Sequence, residues 1–223
     1  MVRGLSIFVT FLLSVFVNAQ SLQELEANYV EALGDYLGLY RGKLEVPYDK
    51  TTYRSSPYLH DNDGFVKGSI FYGGTHYSDV MLRLDLYTNS LIVLSPNAGK
   101  KIVVRKDLVD SFSIGAENFM NLDGIYVREE YLGRKLSLYT HILKKQDVPD
   151  MQSARRMLQF KTKEEILLFV GFTRHVIKGY KDIVSLFPER KTEIEKLVDK
   201  EHLKFSSQDK VNSLTRIVQI LER

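Results

Sequence analysis

Between Gly64 and Leu143 the chain alternates short segments of strand-like pattern with turn residues, and this constrains the fold more than any other feature. In one segment every second residue is apolar: Val80, Leu82, Leu84 and Leu86. Successive side chains of a strand point to opposite faces, so one face of this segment suits a core. The other face carries Arg83 and Asp85 and suits water, where substitutions should cost little. The pattern predicts an antiparallel sheet.

Short turns separate the predicted strands. Gly73-Gly74, Thr88-Asn89 and Asp123-Gly124 are typical of hairpins rather than of crossover helices. We predict strands at residues 65–72, 76–87, 91–95, 101–105, 108–114, 117–121, 124–131 and 135–144. Such a meander would coil into a half-barrel or a two-layer sandwich, because a flat open sheet exposes long unpaired edges.

In the last part of the chain the spacing of apolar residues changes from a strand-like to a helical pattern. After a polar break at residues 146–153, the segments RRMLQF, EEILLFV and HVIKGY are apolar enough for further strands. From residue 181 onward, apolar residues recur at helical spacing around Pro188 and along a final stripe that ends at Leu221. The predicted fold class is therefore α+β, an antiparallel β meander with a C-terminal helical cap.

The first 19 residues have the pattern of a signal peptide. Arg3 precedes an apolar run from Leu5 to Val17, and Ala19 supplies the small residue before a cleavage site. At about 1.5 Å per residue, this run is too short to cross a hydrocarbon core of roughly 30 Å. We expect cleavage before Gln20 and, because no second long apolar run follows, a mature protein without a transmembrane span. Export to the periplasm, the outer envelope or the extracellular space is the predicted localisation.

Four regions follow from these patterns. They are a signal peptide (1–19), an N-terminal helix and extended segment (20–63), an antiparallel β domain (64–180) and a C-terminal helical subdomain (181–223). The N-terminal helix is predicted at residues 22–33, where Ser21 and Glu24 have the spacing of a capping box.

Composition excludes several classes of chemistry. The chain has no cysteine, which rules out disulfides, a thiol nucleophile and cysteine-ligated zinc. An exported protein without disulfides is commoner in a bacterial envelope than in animal secretions. The formal net charge of +3 gives no indication of nucleic-acid binding.

Catalytic motifs are missing from the sequence. It contains no GxSxG nucleophile elbow and no phosphate-cradling loop before a helix. Glu129 and Glu130 are adjacent on one predicted strand, so they point to opposite faces and do not form an acid–base pair. We assign no catalytic residue and expect no cofactor, which favours a binding module over an enzyme.

One group of side chains resembles a metal site. Imidazoles and carboxylates flank two predicted turns, and together they offer ligands for a divalent ion: His60, Asp61, Asp63, His76 and Asp79. Turns rich in Asp and Asn contain the same residues for backbone reasons alone. A metal-dependent hydrolase or metal-binding protein that uses this cluster is therefore the alternative hypothesis.

Tyrosines are concentrated in the first half of the chain. Nine of the 13 lie between Tyr29 and Tyr87. Tyrosine packs its ring on sugars and peptides while its hydroxyl stays in water, so such enrichment predicts a binding surface, for which we single out Tyr72, Tyr77 and Tyr87. The alternative is that these rings fill a small β core.

Five segments, spread over nearly all of the chain after residue 38, have a distinctive pattern: LYRGKLEVPY (39–48), GSIFYGGTHYSDVMLRLDLYTNSLIVL (68–94), IVVRKDLVDSFSIG (102–115), GIYVREEYLGRKLSLYTHILKK (124–145) and KDIVSLFPERKTEIEKLV (181–198). In this pattern the chain resembles uncharacterised exported β-rich proteins of Bacteroidetes-type bacteria. The resemblance implies export, a β-rich core and a helical tail, and it implies no activity. We therefore expect an envelope-associated interaction or structural module whose partner is an envelope protein, a peptide or a glycan.

Overall fold

The computed structural model describes residues 38–96, 98–147, 158–206 and 209–223. The predicted signal peptide (1–19) and the predicted helix at residues 22–33 lie outside the described residues, and both stay predictions. The chain divides into two units, Met1–Arg41 and Gly42–Arg223, and everything below concerns the second unit.

The described part of this unit contains one antiparallel sheet of eleven strands. Most of the strands lie within a residue or two of their predicted positions. In chain order they are β1 (Lys43–Leu44), β2 (Val66–Tyr72), β3 (Thr75–Asp85), β4 (Ser90–Leu94), β5 (Lys101–Val103), β6 (Val109–Ile114), β7 (Glu117–Leu122), β8 (Ile125–Leu132), β9 (Leu136–Asp147), β10 (Gln159–Val170) and β11 (Thr173–Ile177).

The strand order departs from a simple meander at one point. The order is β1-β5-β4-β3-β2-β6-β7-β8-β9-β10-β11, so β6 returns to pair with β2 instead of with β5. The link from Val104 to Leu108 makes this return, and its ends are fixed by backbone hydrogen bonds from Val104 to Leu91 (3.0 Å) and from Gly73 to Leu108 (2.7 Å). A short link of this kind has the same sequence pattern as a hairpin connection, which is why the sequence predicted β5 and β6 as neighbours.

The sheet curls so that strands far apart in its order meet. The carbonyl of Leu86, just after β3, accepts a hydrogen bond from the backbone N–H of Lys144 on β9 (3.0 Å). The side chain of Asn89 donates to the carbonyl of Gly124 (2.9 Å) and accepts from the N–H of Tyr126 (3.2 Å). One curled sheet, with β1 and β11 at its edges, therefore corresponds to the predicted half-barrel rather than to the two-layer sandwich.

Helices cover the end of the sheet that β9, β10 and β11 form. They are α1 (Tyr180–Leu186), α2 (Lys191–Lys200) and α3 (Lys210–Leu221), and a short 3-10 helix (Pro188–Arg190) joins the first two. The predicted helical cap is confirmed. Its core is apolar and nearly inaccessible: Leu136, Leu138, Ile166, Leu168, Ile177, Ile183, Ile194, Leu197, Leu214, Ile217 and Val218. No helix in the described part of the chain has the length and apolar character that a membrane crossing requires.

The C-terminal end of α3 is tied to the sheet by one carboxylate. Glu222 accepts backbone N–H bonds from Arg134 (2.7 Å), Lys135 (2.9 Å) and Leu136 (2.9 Å), at the turn between β8 and β9. Burial alone would raise the pKa of Glu222, but these three bonds outweigh it and hold that pKa below its ordinary value. Glu222 therefore fastens the helical cap as an ionised acceptor.

The last four residues of β3, Leu82 to Asp85, are buried on both faces of the strand. Leu82, Leu84 and Leu86 are 0%, 2% and 5% exposed, which confirms their predicted inward direction. Arg83 and Asp85, expected on a solvent face, are only 5% and 3% exposed. The expectation that substitutions cost little there is wrong, because the residues before Gly64 cover this face.

Candidate binding cleft

An irregular stretch, here called the cover segment (Glu45–Asp63), lies over the polar face of β3. It contains no strand, and its one helical element is a 3-10 turn at Leu59–Asp61. Its carbonyl groups need partners that a regular ladder would otherwise supply. The buried ammonium of Lys144 on β9 provides them, because it donates to the carbonyls of Ser56 (2.7 Å) and Tyr58 (2.9 Å) and to the carboxylate of Asp61 (2.5 Å).

A buried ion pair joins the cover segment to β3. The guanidinium of Arg83 donates to both carboxylate oxygens of Glu45 (2.7 and 2.6 Å) and to the carbonyl of Asp63, and both charged side chains are 5% exposed. The Arg83 Cζ lies 3.9 Å from the ring centroid of Tyr58 and 4.4 Å from that of Phe65. Both contacts to Glu45 come from Nη2, while Nε has no hydrogen-bond partner among the described residues. The opposite charge of Glu45 and the cation–π contacts together offset the loss of water around the guanidinium.

Two tyrosine hydroxyls complete this polar layer. Tyr48 donates to Asp85 (2.7 Å), which also accepts the backbone N–H groups of the turn after β3, and Tyr58 donates to Glu45 (2.6 Å). Burial, followed by the hydrogen bond to the carboxylate, raises the pKa of both hydroxyls well above the ordinary value. Both therefore stay protonated donors, which fixes their rings in position.

An aromatic cluster (Tyr48, Tyr53, Tyr58, Tyr87 and Phe160) forms around these hydroxyls. The ring of Tyr53 stacks on Phe160 with centroids 4.9 Å apart and an angle of 10° between the ring planes. Tyr48 meets Tyr53 (5.5 Å), Phe160 (5.7 Å) and Tyr58 (6.1 Å) in edge-to-face contacts. Tyr87 lies 5.1 Å from Phe160. Edge-to-face and stacked contacts of this kind hold rings in defined orientations.

The cover segment and the aromatic cluster border a cleft of about 620 Å³. This volume lies within the roughly 300–1,000 Å³ of small-ligand sites. The cleft is lined by tyrosines and by charged side chains of both signs, among them Tyr48, Tyr53, Tyr58, Arg54, Asp61 and Lys101. Tyrosine rings beside charged side chains of both signs are suited to binding a polar ligand.

The three tyrosines singled out from the sequence differ in their exposure. Tyr72 and Tyr77 are 4% and 6% exposed, so neither presents its ring to a ligand from solvent. They occupy the interior, which is the alternative that the sequence left open. Tyr87 is 40% exposed and belongs to the aromatic cluster. Of the three tyrosines singled out, it is therefore the one whose ring is accessible to a ligand.

The residues of the predicted metal cluster are not brought together. Four of them form separate pairs: His60 with Glu117 (2.5 Å), Asp61 with Lys144 (2.5 Å), Asp63 with Lys50 (3.6 Å) and Asp79 with Lys67 (2.8 Å). His76 lies beside the ring of Phe71. In residues 38–96, 98–147, 158–206 and 209–223, no group of three or more His, Asp and Glu side chains is placed to hold a metal ion.

Glu117 is the carboxylate partner of His60, and it shows what that imidazole does. Burial alone would raise the pKa of Glu117, but hydrogen bonds from His60 and from Arg128 (2.7 Å) outweigh burial and lower that pKa. His60 thus joins the 3-10 turn to β7, which is a structural role.

Sequence reasoning missed Tyr48, Tyr53 and Tyr58, which line the cleft. Tyr58 is only 5% exposed, so Tyr48 and Tyr53 supply most of the accessible ring surface. A signal was present, since these tyrosines recur at every fifth residue through EVPYDKTTYRSSPYL, a stretch with two prolines and no strand pattern. A covering segment of this kind has no period that predicts which surface it contacts. Comparison of the whole chain with protein-family models, with curated proteins and with solved structures found no match.

Proposed function

We propose that this protein is an exported, envelope-associated interaction module that binds a protein, peptide or glycan of the envelope in the cleft beside the cover segment. The observation that carries the proposal is the combination of a preformed cleft of about 620 Å³ with a wall of oriented tyrosines. Rigid aromatic rings contribute large contact areas at a low cost in conformational entropy, as in other recognition sites.

The polar side chains behind the cleft support binding rather than catalysis. The two terminal nitrogens of Arg83 donate to Glu45 and Asp63, and Asp85 accepts from Tyr48 and two backbone N–H groups. These groups hold the wall in place and are not directed at a bound molecule. A general acid or base needs a proton within hydrogen-bond reach of its substrate, which these buried groups do not offer.

The test of binding compares two aromatic substitutions in capture from envelope extracts of the native host. Tyr53→Leu removes an aromatic ring and a hydroxyl from the cleft, whereas Phe172→Leu removes a fully exposed ring from the turn between β10 and β11. We expect Tyr53→Leu to weaken capture of the partner by about 1 kcal/mol or more, as an interface anchor does, and Phe172→Leu to leave it unchanged. Equal capture by both variants and the unaltered protein would contradict the proposal.

Export is tested separately by intact mass. Protein from the native host should begin at Gln20, because the residues before it have the pattern of a cleaved signal. A full-length species that remains in the cytoplasm would contradict this part of the proposal.

A further inference from the structure

The acidic side chains of the cleft are already engaged within the protein. Asp49 accepts from the backbone N–H and the hydroxyl of Thr51 (2.9 and 2.8 Å), and Asp61 is paired with the buried ammonium of Lys144. Asp63 lies 3.6 Å from the ammonium of Lys50. The carboxylates at this site therefore serve to fold the cover segment.

Two of the three basic side chains that line the cleft are in the opposite situation, and Lys50 is the exception. Arg54 and Lys101 both line the cleft and are both exposed. In the described part of the chain, neither side chain has a carboxylate within 4.0 Å, and the hydroxyl of Tyr53 has no hydrogen-bond partner. Two cations and a phenol hydroxyl thus line one cleft as unengaged donors, where a ligand rich in anionic acceptors would complement them.

From these contacts we infer that the cleft binds an acidic glycan, a polymer of carboxylated sugars. This inference rests on the proposed function and names the ligand class of the same cleft. The carboxylate of a sugar unit pairs with the guanidinium of Arg54, which presents a planar fork of donors that fits a carboxylate. Lys101 pairs with a neighbouring carboxylate as a point charge, and the ring of Tyr53, fixed by Phe160, gives an apolar surface for the C–H face of a sugar.

An extended acidic peptide fits the cleft less well. A peptide carries one backbone N–H per residue, and each of these donors needs an acceptor when it leaves water. The carboxylates that could accept them already have partners in Thr51, Lys144 and Lys50, which would compete with the peptide for these acceptors. A carboxylated sugar polymer brings an anionic acceptor on every unit, and its hydroxyls, unlike a backbone N–H, accept as well as donate. Its acceptors therefore complement the donors of Arg54, Lys101 and Tyr53.

The experiment titrates the purified chain with three polymers by calorimetry. They are polygalacturonate, its fully methyl-esterified form, which keeps the sugar backbone without charge, and poly-glutamate, which is an acidic peptide. We expect polygalacturonate to bind, and we expect esterification to weaken binding by about tenfold or more, as loss of charge-assisted hydrogen bonds does. Poly-glutamate should bind more weakly than polygalacturonate at the same salt concentration.

Variants that each remove one positive charge distinguish binding in the cleft from non-specific attraction of the polymer to the protein surface. Arg54→Gln and Lys101→Gln should each weaken polygalacturonate binding by about fivefold or more, since each removes one charged contact. The matched controls Lys163→Gln on β10 and Arg174→Gln on β11 remove the same charge from exposed positions away from the cleft lining, and they should change the affinity by less than about twofold.

Four results would overturn the inference. Equal binding of the ester would show that charge is not recognised, tighter binding of poly-glutamate would identify a peptide site, and equal losses in the control variants would show non-specific attraction. Absence of binding to all three polymers would also refute the acidic glycan. In that case, capture from envelope extracts that still depends on Tyr53 would keep the proposed function, so the two failures are distinguishable.

Discussion

Replacement of Arg83 by methionine tests whether the cover segment is held by the buried ion pair. Methionine keeps an unbranched apolar side chain but removes the guanidinium that lies over the rings of Tyr58 and Phe65, and it leaves the Glu45 carboxylate, 5% exposed, without its cation. Removing one partner of a buried ion pair costs about 3–5 kcal/mol, because the remaining charge is uncompensated. For a domain of this size each kcal/mol lowers the Tm by about 2–4 °C, so we expect a decrease of roughly 6–20 °C.

The free energy of unfolding is measured by guanidinium denaturation, with Arg174→Met as the matched control. Arg174 is an exposed arginine on β11 and should change stability by less than about 0.5 kcal/mol. The double variant Arg83→Met with Glu45→Gln removes both formal charges and should recover most of the loss, because it leaves no buried charge unpaired.

Limited trypsin digestion gives a second readout of the same change. Lys50 and Arg54 are exposed sites within the cover segment, and release of that segment in Arg83→Met should speed cleavage after them. A cost below about 1 kcal/mol for Arg83→Met, or a double variant as unstable as the single one, would refute the reasoning. Unchanged cleavage rates would show that other contacts hold the segment in place.

Three further predictions concern the core, the helical cap and acid. Leu84→Asp should cost about 4 kcal/mol or more in guanidinium denaturation, because it puts an unpaired carboxylate at a position that is 2% exposed; a loss as small as that of Arg174→Met would show that β3 has the other register. Glu222→Gln should cost about 1–2 kcal/mol, since its amide N–H₂ group faces one of three backbone N–H donors, and a Tm equal to that of the unaltered protein would contradict this role. Burial lowers the pKa of His141, and Glu165 opposes this only in part, so the unfolded chain binds the proton more readily. The free energy of unfolding should therefore fall as the pH drops below about 6.5, and a His141→Phe variant that loses as much stability between pH 7.5 and 5.5 would contradict the assignment.

Alternation and turn chemistry predicted the strands well, because each depends on neighbouring residues. Leu82 and Leu84 share a face for purely local reasons, and Gly73-Gly74 forms its turn with a positive φ at both glycines. The return of β6 to β2 was not predictable in this way, since the link that ends at Leu108 makes its deciding hydrogen bond with Gly73, far away in the chain.

The candidate site was less predictable than the fold. The alternation of residues along β3 correctly placed Arg83 and Asp85 on the face opposite the leucines. Alternation does not tell whether another part of the chain covers that face. Burial of Arg83 depends on Glu45, a residue 38 positions earlier in an irregular segment. The tyrosine-rich composition indicated a binding surface, and only the packing distinguishes the interior Tyr72 from the cleft residue Tyr53.

The two edge strands of the curled sheet differ in how readily each could pair with a strand of another copy of the chain. β1 offers only Lys43–Leu44, which is too short to template a further strand, so growth of the sheet from that edge is blocked. β11 is longer, at Thr173–Ile177, and carries an exposed Val176 next to the fully exposed Phe172 of its turn. Arg174 places a positive charge on this edge, and two approaching copies would bring these like charges together. Aggregation by edge-to-edge pairing would therefore begin at β11, and high salt, which screens that repulsion, would promote it.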